Sequence, residues 1–313
     1  MSPHSPPPLA ADDLLDVLDP DLMVTLEFMA EQDGVLGGLA ETRAFLRALQ
    51  PNVPQVWMLE PGARLQRGDV VLRVRGLFRQ VGIHARALVG ILATASGWTT
   101  AARALVEAAK PAPVLFRGAT TVHPAVSAQL EQAAMAGGCL GSTADWNRGL
   151  MSRELVLLMG DTVHALRTLD AALPPEIPRL TYVDLFHDEA DEAVRVALAF
   201  GNKLGGVVLR VETPDAELTL ELARRVRAQL ELAGFPRVKL FLDGAFTPHH
   251  IEWWKIEHAP LDGYFVGDQI GAAPPLPFAV ELRERDEKPL GRRGQPPGTT
   301  PSLRLQRVNL AEE

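Results

Sequence analysis

The chain has 313 residues, enough for one large domain or two modest ones, and 47% hydrophobic residues can supply a real buried core. Thirty-nine acids against 31 Lys and Arg give a net charge of −8, so a nucleic-acid backbone is repelled unless the bases cluster sharply; 22% charged residues and ordinary Gly and Pro counts exclude a collagen-like or wholly disordered chain. No run approaches eighteen consecutive apolar residues, and the first thirty combine prolines with acids rather than a basic start and an apolar middle, so no membrane association is expected and the chain is expected in the cytoplasm.

Residues 1–10 (MSPHSPPPLA) read as a mobile, Pro-rich leader. From Glu60 to Gly76, apolar and basic residues alternate between glycine turns, which predicts a half-exposed β-hairpin. Its Arg64, Arg67, Arg73 and Arg75 form either a solvated strand face or an anion patch. Leu88, Ile91, Leu92 and Ala95 share one face of a helix predicted over 82–110, and a second helix over 125–136 follows Pro124. The single cysteine, Cys139, has no partner for an intramolecular disulfide and reads as a small buried residue.

The second half carries the clearest pattern. Short apolar runs at 180–186, 206–211, 238–242 and 263–266 alternate with helical segments at 188–203, 216–233 and 249–257. Units of this kind imply parallel strands joined by right-handed crossovers, hence an α/β sheet or barrel. A Gly/Pro-rich stretch over 291–301 predicts a flexible loop.

Several familiar chemistries are unsupported. His249 and His250 are adjacent, so their side chains point apart, and no third ligand has metal-site spacing. Trp253 and Trp254 sit at helical spacing with Ile251 and Ile256, as packing residues do. Ser96, Ser142 and Ser152 lack a nucleophile-elbow context, and neither a P-loop nor a dinucleotide fingerprint occurs.

Seven segments in order (LEPGARLQRGDVVLRVRG, ILATASGWTTAAR, HPAVSAQLEQAAMAGGCLGS, GDTVHAL, YVDLFHDEADEAVRVA, AGFPRVKLFLDG and LDGYFVGD) resemble the nicotinate phosphoribosyltransferase family, itself related to quinolinate phosphoribosyltransferases. The resemblance covers about residues 24 to 290. It implies an incomplete, TIM-like parallel β/α barrel over 81–274. It also implies an α/β sandwich domain built from 11–80 and the tail 275–313. The implied activity moves phosphoribosyl from phosphoribosyl pyrophosphate to nicotinate in NAD salvage, with Mg²⁺, with ATP acting through a phosphorylated histidine, and in a homodimer or higher homo-oligomer.

Displacing pyrophosphate at an anomeric carbon calls for cations and N–H donors, which a barrel supplies from loops after its strands. By resemblance, His164 in Gly160-Asp161-Thr162-Val163-His164 is the phosphorylated histidine; as a residue it reads equally as a histidine satisfied at a helix start. Asp184 matches an acidic position that holds ribose or Mg²⁺, and reads equally as a cap of the next helix. The remaining positions depart from the family pattern in one direction. The arginine expected for the nicotinate carboxylate falls on Thr120, with Arg117 three residues away as a substitute; an expected acid is Arg210; and the phosphate loops read Asp243-Gly244-Ala245 and Val266-Gly267-Asp268. A carboxylate about 4 Å from a phosphate charge costs roughly 4 kcal/mol at an effective dielectric near 20. Either Asp243 and Asp268 turn away or pair with Arg210, or the substrate's 5-phosphate is not bound as in the family, or the two acids themselves occupy the anion site. These departures support a second reading, a catalytically degenerate member that serves as a binding or structural protein.

Overall fold

The structure is a computed structural model that describes residues 19, 21–49, 54–212 and 215–310. The leader expected at 1–10 lies outside them. The chain divides into two compact units, Met1–Gly97 with Pro274–Glu313, and Trp98–Ala273. The division at Gly97 falls within one helix, Ala85–Ala109, rather than at the expected 80/81 boundary. Its first half buries Leu88 and Leu92 in the first unit's core and its second half buries Trp98, Ala102 and Leu105 in the second's.

The first unit is built on an antiparallel sheet. Its strands are β1 (Met23–Ala30), β3 (Gln55–Met58), β5 (Val70–Leu77), β11 (Phe278–Arg285), β12 (Lys288–Pro289) and β13 (Gln306–Val308), in the order β12-β11-β1-β5-β3-β13. The C-terminal tail thus completes the N-terminal sheet. The hairpin expected over Glu60–Gly76 is not formed. β4 (Arg64–Leu65) pairs instead with β2 (Gly34–Val35), and the turn at Gly68, whose φ of +94° suits glycine, feeds β5 between β1 and β3. Period-two alternation marks a strand without naming its partner, and a strand as buried as β5 takes two.

The expected flexible loop at 291–301 is corrected too, because it is docked on this sheet. Thr300 donates through its backbone N–H (3.0 Å) and hydroxyl (2.8 Å) to Glu27, while Arg292 (2.5 Å) and Gln295 (2.6 Å) donate to Glu281. Glu27 and Glu281 are buried, and a buried carboxylate requires donors that the tail provides. Arg73 pairs with Glu27 at 2.6 Å, so it is neither a solvated residue nor part of a free anion patch.

The second unit contains the parallel sheet expected of a β/α barrel. Its strands are β6 (Val114–Phe116), β7 (Arg179–Tyr182), β8 (Leu204–Val211), β9 (Lys239–Gly244) and β10 (Gly263–Val266), ordered β6-β10-β9-β8-β7 and all parallel. The crossover helices Glu189–Phe200, Ala216–Leu232 and Pro248–Ile256 lie close to their expected spans. The barrel is incomplete: single-residue parallel bridges, Leu115 to Leu140 and Leu150 to Leu180, stand where further strands would close it. Alternate strand residues face two cores. Leu115, Leu180, Tyr182, Val208, Phe241 and Phe265 fill the inner one; Val207, Leu209, Leu240, Leu242, Tyr264 and Val266 pack under the helices. Trp254 is fully buried and stacks on Tyr264 with centroids 6.4 Å apart, as a packing residue does. Cys139 is buried, which pushes its thiol up to about 12. Among the described residues no helix is long and apolar enough to cross a membrane.

Candidate functional site

Because strand side chains alternate, the residue two beyond each inner core position emerges at the same mouth. Leu115, Tyr182, Val208, Phe241 and Phe265 are followed in this way by Arg117, Asp184, Arg210, Asp243 and Gly267. Of the positions singled out in the sequence, Arg117, Thr120, Arg210, Asp243, Gly244, Gly267 and Asp268 line one cavity of about 570 Å³. Asp184 is joined to this cavity through Arg153, which lines it and pairs with Asp184 at 2.7 Å.

Tyr182 organises the charges. Arg117 Nη1 donates to its hydroxyl at 2.9 Å, the hydroxyl donates to Asp243 Oδ2 at 2.6 Å, and Arg210 Nη1 donates to the same oxygen at 3.0 Å. The Arg117 guanidinium also lies 5.8 Å from the Tyr182 ring centroid and 5.7 Å from that of Phe265, and Arg153 lies 5.8 Å from Tyr182. Burial and then the charge of Asp243 hold the Tyr182 phenol protonated far above its usual range, which keeps it a donor. Burial disfavours the charged Arg210, but Asp243 outweighs that and raises its pKa. Burial raises the Asp184 carboxyl against the opposing pull of Arg153. Asp184 Oδ1, Arg153 Nε and Arg210 Nε are buried side-chain atoms without a hydrogen-bond partner, three orphaned groups at one mouth that call for a ligand or water.

The two aspartates behave differently. Asp243 pairs with Arg210, which is its registered neighbour across β8 and β9. Asp268 turns to the loop after β6 and accepts from Thr120 N at 2.6 Å, Thr121 N at 3.1 Å and Thr120 Oγ1 at 3.0 and 3.1 Å. Burial pushes the Asp268 carboxyl up, but these donors together outweigh burial and hold it below the usual range. Gln269, absent from the sequence reading, accepts from Gly267 N at 3.0 Å and donates to the Gly244 carbonyl.

His164 is not among the residues lining this cavity. It is exposed in the first turn of the helix Thr162–Ala172, where its backbone N–H donates to the cap Asp161 at 2.7 Å, and Asp161 pairs with Arg195 at 2.8 Å. Among the described residues no group of three or more His, Cys, Asp or Glu could hold a metal ion, and the carboxylates of Asp184 and Asp243 face arginines. The residues present therefore do not make a protein-held Mg²⁺ cage. Sequence reasoning passed over Tyr182, Arg153 and Gln269. The strand parity that selects Arg210 and Asp243 also reaches Tyr182, whereas Arg153 enters from a helix, Arg153–Met159, that no sequence pattern announced.

A family model described as "Quinolinate phosphoribosyl transferase, N-terminal domain" matches residues 13–96. The crystal structure of a nicotinate-nucleotide pyrophosphorylase from Pyrococcus furiosus is 31% identical, with a TM-score of 0.77, over 90% of this chain and 75% of that one. The chain belongs to this family of phosphoribosyltransferases. Other relatives in the phosphoribosyltransferase family match more distantly. A quinolinate phosphoribosyltransferase [decarboxylating] from Nicotiana tabacum is 25% identical over 95 residues, 30% of this chain and 27% of that protein. A nicotinate phosphoribosyltransferase from Mycobacterium tuberculosis is 25% identical over 264 residues, 77% of this chain and 57% of that protein. This chain thus spans less than two thirds of the length of these curated relatives. The nicotinate branch named from the sequence motifs widens accordingly to the phosphoribosyltransferase family as a whole, since the matching family model is the quinolinate one.

Proposed function

We propose that this chain transfers the phosphoribosyl group of phosphoribosyl pyrophosphate to nicotinate in NAD biosynthesis. The pyridine nitrogen lone pair forms the bond to the anomeric carbon, the bond from that carbon to pyrophosphate oxygen breaks, and pyrophosphate leaves with the electron pair. The observation that carries the choice of base is Arg117, a guanidinium set against the Tyr182 and Phe265 rings with no ion pair among the described residues. Arg153 and Arg210 are already paired with Asp184 and Asp243, whereas Arg117 is held only through Nη1 to the neutral Tyr182 hydroxyl, so the mouth offers one guanidinium without a carboxylate for one ring carboxylate, which favours nicotinate over the dicarboxylate quinolinate. Mg²⁺ enters this reading with the diphosphate of the substrate.

The test is pyrophosphate release with nicotinate, phosphoribosyl pyrophosphate and Mg²⁺. Arg117→Ala is expected to weaken nicotinate binding by about 1.5–3 kcal/mol, roughly tenfold to a hundredfold. Turnover of quinolinate without turnover of nicotinate, or an Arg117→Ala enzyme with an unchanged KM for nicotinate, overturns this assignment. ATP coupling through His164 and a homodimer or higher homo-oligomer belong to the same proposal. They are checked by ATP dependence of turnover in His164→Ala and by light scattering. A catalytically degenerate binding protein is the second reading, favoured by Asp268 filling the donors of the loop after β6. It predicts nicotinate binding with no pyrophosphate release.

A further inference from the structure

Two backbone N–H groups and a hydroxyl converging at the edge of a cavity are the kind of donors that hold a phosphoryl oxygen. Here Thr120 N, Thr120 Oγ1 and Thr121 N converge on the Asp268 carboxylate at 2.6 to 3.1 Å. The loops carrying these groups approach closely. A Cβ at Gly267 would lie 1.7 Å from the Gly118 carbonyl oxygen, and one at Gly271 would lie 2.9 Å from Ala119 Cβ. Asp268 is therefore delivered to the donors by backbone packing, not by a flexible stem. Beside it, Gln269 takes the Gly267 N–H and the Gly244 carbonyl, so the neighbouring backbone groups of β9 and β10 are satisfied from within as well.

We infer that Asp268 is an intramolecular competitor for the phosphoryl group of this site's ligand, holding the Thr120–Thr121 donors until a phosphoryl oxygen displaces it. The inference rests on the cavity being the ligand site and deepens the proposed reaction by naming what limits affinity for its phosphorylated substrate. A side chain can compete because its effective concentration at the donors is fixed by the fold, and because its negative charge repels any phosphate that approaches without displacing it. Replacement of Asp268 by a residue that neither fills the donors nor carries charge should then expose an anion site that the native chain keeps covered.

The experiment titrates inorganic phosphate into the native protein, Asp268→Ser and Asp268→Asn at neutral pH and fixed ionic strength. Calorimetry reads affinity, and the backbone amide resonances of Thr120 and Thr121 report location. Both variants are expected to bind phosphate about tenfold or more tightly than the native chain, Asp268→Ser by the larger factor because the amide oxygen of asparagine still reaches the same N–H groups whereas the shorter serine side chain does not. The Thr120 and Thr121 amides are expected to shift with phosphate in the variants. Native-like weak binding in either folded variant overturns the inference, as do variants whose added affinity leaves those two amides unmoved. If Asp268→Ser does not fold, Asp268→Asn decides by the same two readouts. Turnover is not part of the measurement, so absence of phosphoribosyl transfer in the native protein would sink the proposed reaction without touching this result.

Discussion

Two networks of buried and half-buried charge, one in each unit, use the same side chains to opposite ends. On the sheet of the first unit, Glu27 and Glu281 are met by Arg73, Arg283, Arg292, Gln295 and Thr300, and the tail 291–301 covers them. In the mouth of the parallel strands, Arg117, Tyr182, Asp243 and Arg210 form an equally continuous chain of contacts. They line a cavity of about 570 Å³, and three buried polar atoms there lack a partner. The first network is closed by its own chain apart from Arg283 Nε, which lies 3.4 Å from Glu27 Oε2 without a hydrogen bond, and serves to fasten the tail. The second is closed only in part, and the difference marks it as a place for something else to bind. Counting charges does not separate the two; counting unpartnered atoms, one against three, does.

The largest effect expected from breaking this contrast lies in the closed network. Glu27→Ala leaves Arg73 and the Thr300 N–H facing an empty position and should cost about 3–5 kcal/mol in urea unfolding, with the tail released to proteolysis. In the open network, Tyr182→Phe removes the hydroxyl between Arg117 and Asp243 and should cost about 1–2 kcal/mol. A larger loss there would mean that the mouth, too, is chiefly structural. The pH dependence of Asp268 comes next. Its carboxyl lies lower in the folded chain than in the unfolded one, so its stabilising contribution is complete above about pH 4 and is lost as pH falls from there through the folded value. Asp268→Asn should accordingly flatten the acid limb of the stability curve and leave its slope above pH 5 unaltered. The smallest effect belongs to His164→Ala, an exposed position outside the lining, where stability should stay within about 0.5 kcal/mol and nicotinate affinity should not change.

Much of the barrel was legible because its physics is local. Apolar runs and amphipathic segments such as 216–233 declare themselves within a dozen residues, while Arg210 and Asp243, which share one mouth, were singled out by the family resemblance. Three short features escaped. β6 is only Val114–Phe116, preceded by prolines at 111 and 113 and too short for any period to show. The partner of Arg64–Leu65 is set by contacts with Gly34–Val35 some thirty residues earlier, information no local pattern holds. The docking of 291–301 depends on acids in β1 and β11, so its Gly and Pro content suggested mobility while distant carboxylates fixed it. At the site, the resemblance implied that Asp243 and Asp268 conflict with a phosphate. Only the geometry separated their solutions, an arginine across the strands for one and a loop of threonines for the other.

The bridges at Leu140 and Leu150 have a consequence for how this parallel sheet avoids sticking to its neighbours in a crowded cell. An exposed strand edge is a template for foreign strands, and here the β7 side is met by a segment that bridges it once, where Leu180 N donates to the Gly149 carbonyl at 2.8 Å and Leu150 joins Leu180 and Tyr182 in one buried cluster. At that point the backbones are so close that a Cβ on residue 149 would sit 1.7 Å from the Pro178 carbonyl oxygen. One missing methyl group thus keeps the flap shut, and even alanine at this glycine should lift it, turning a self-contained fold into one prone to aggregate through its bared edge.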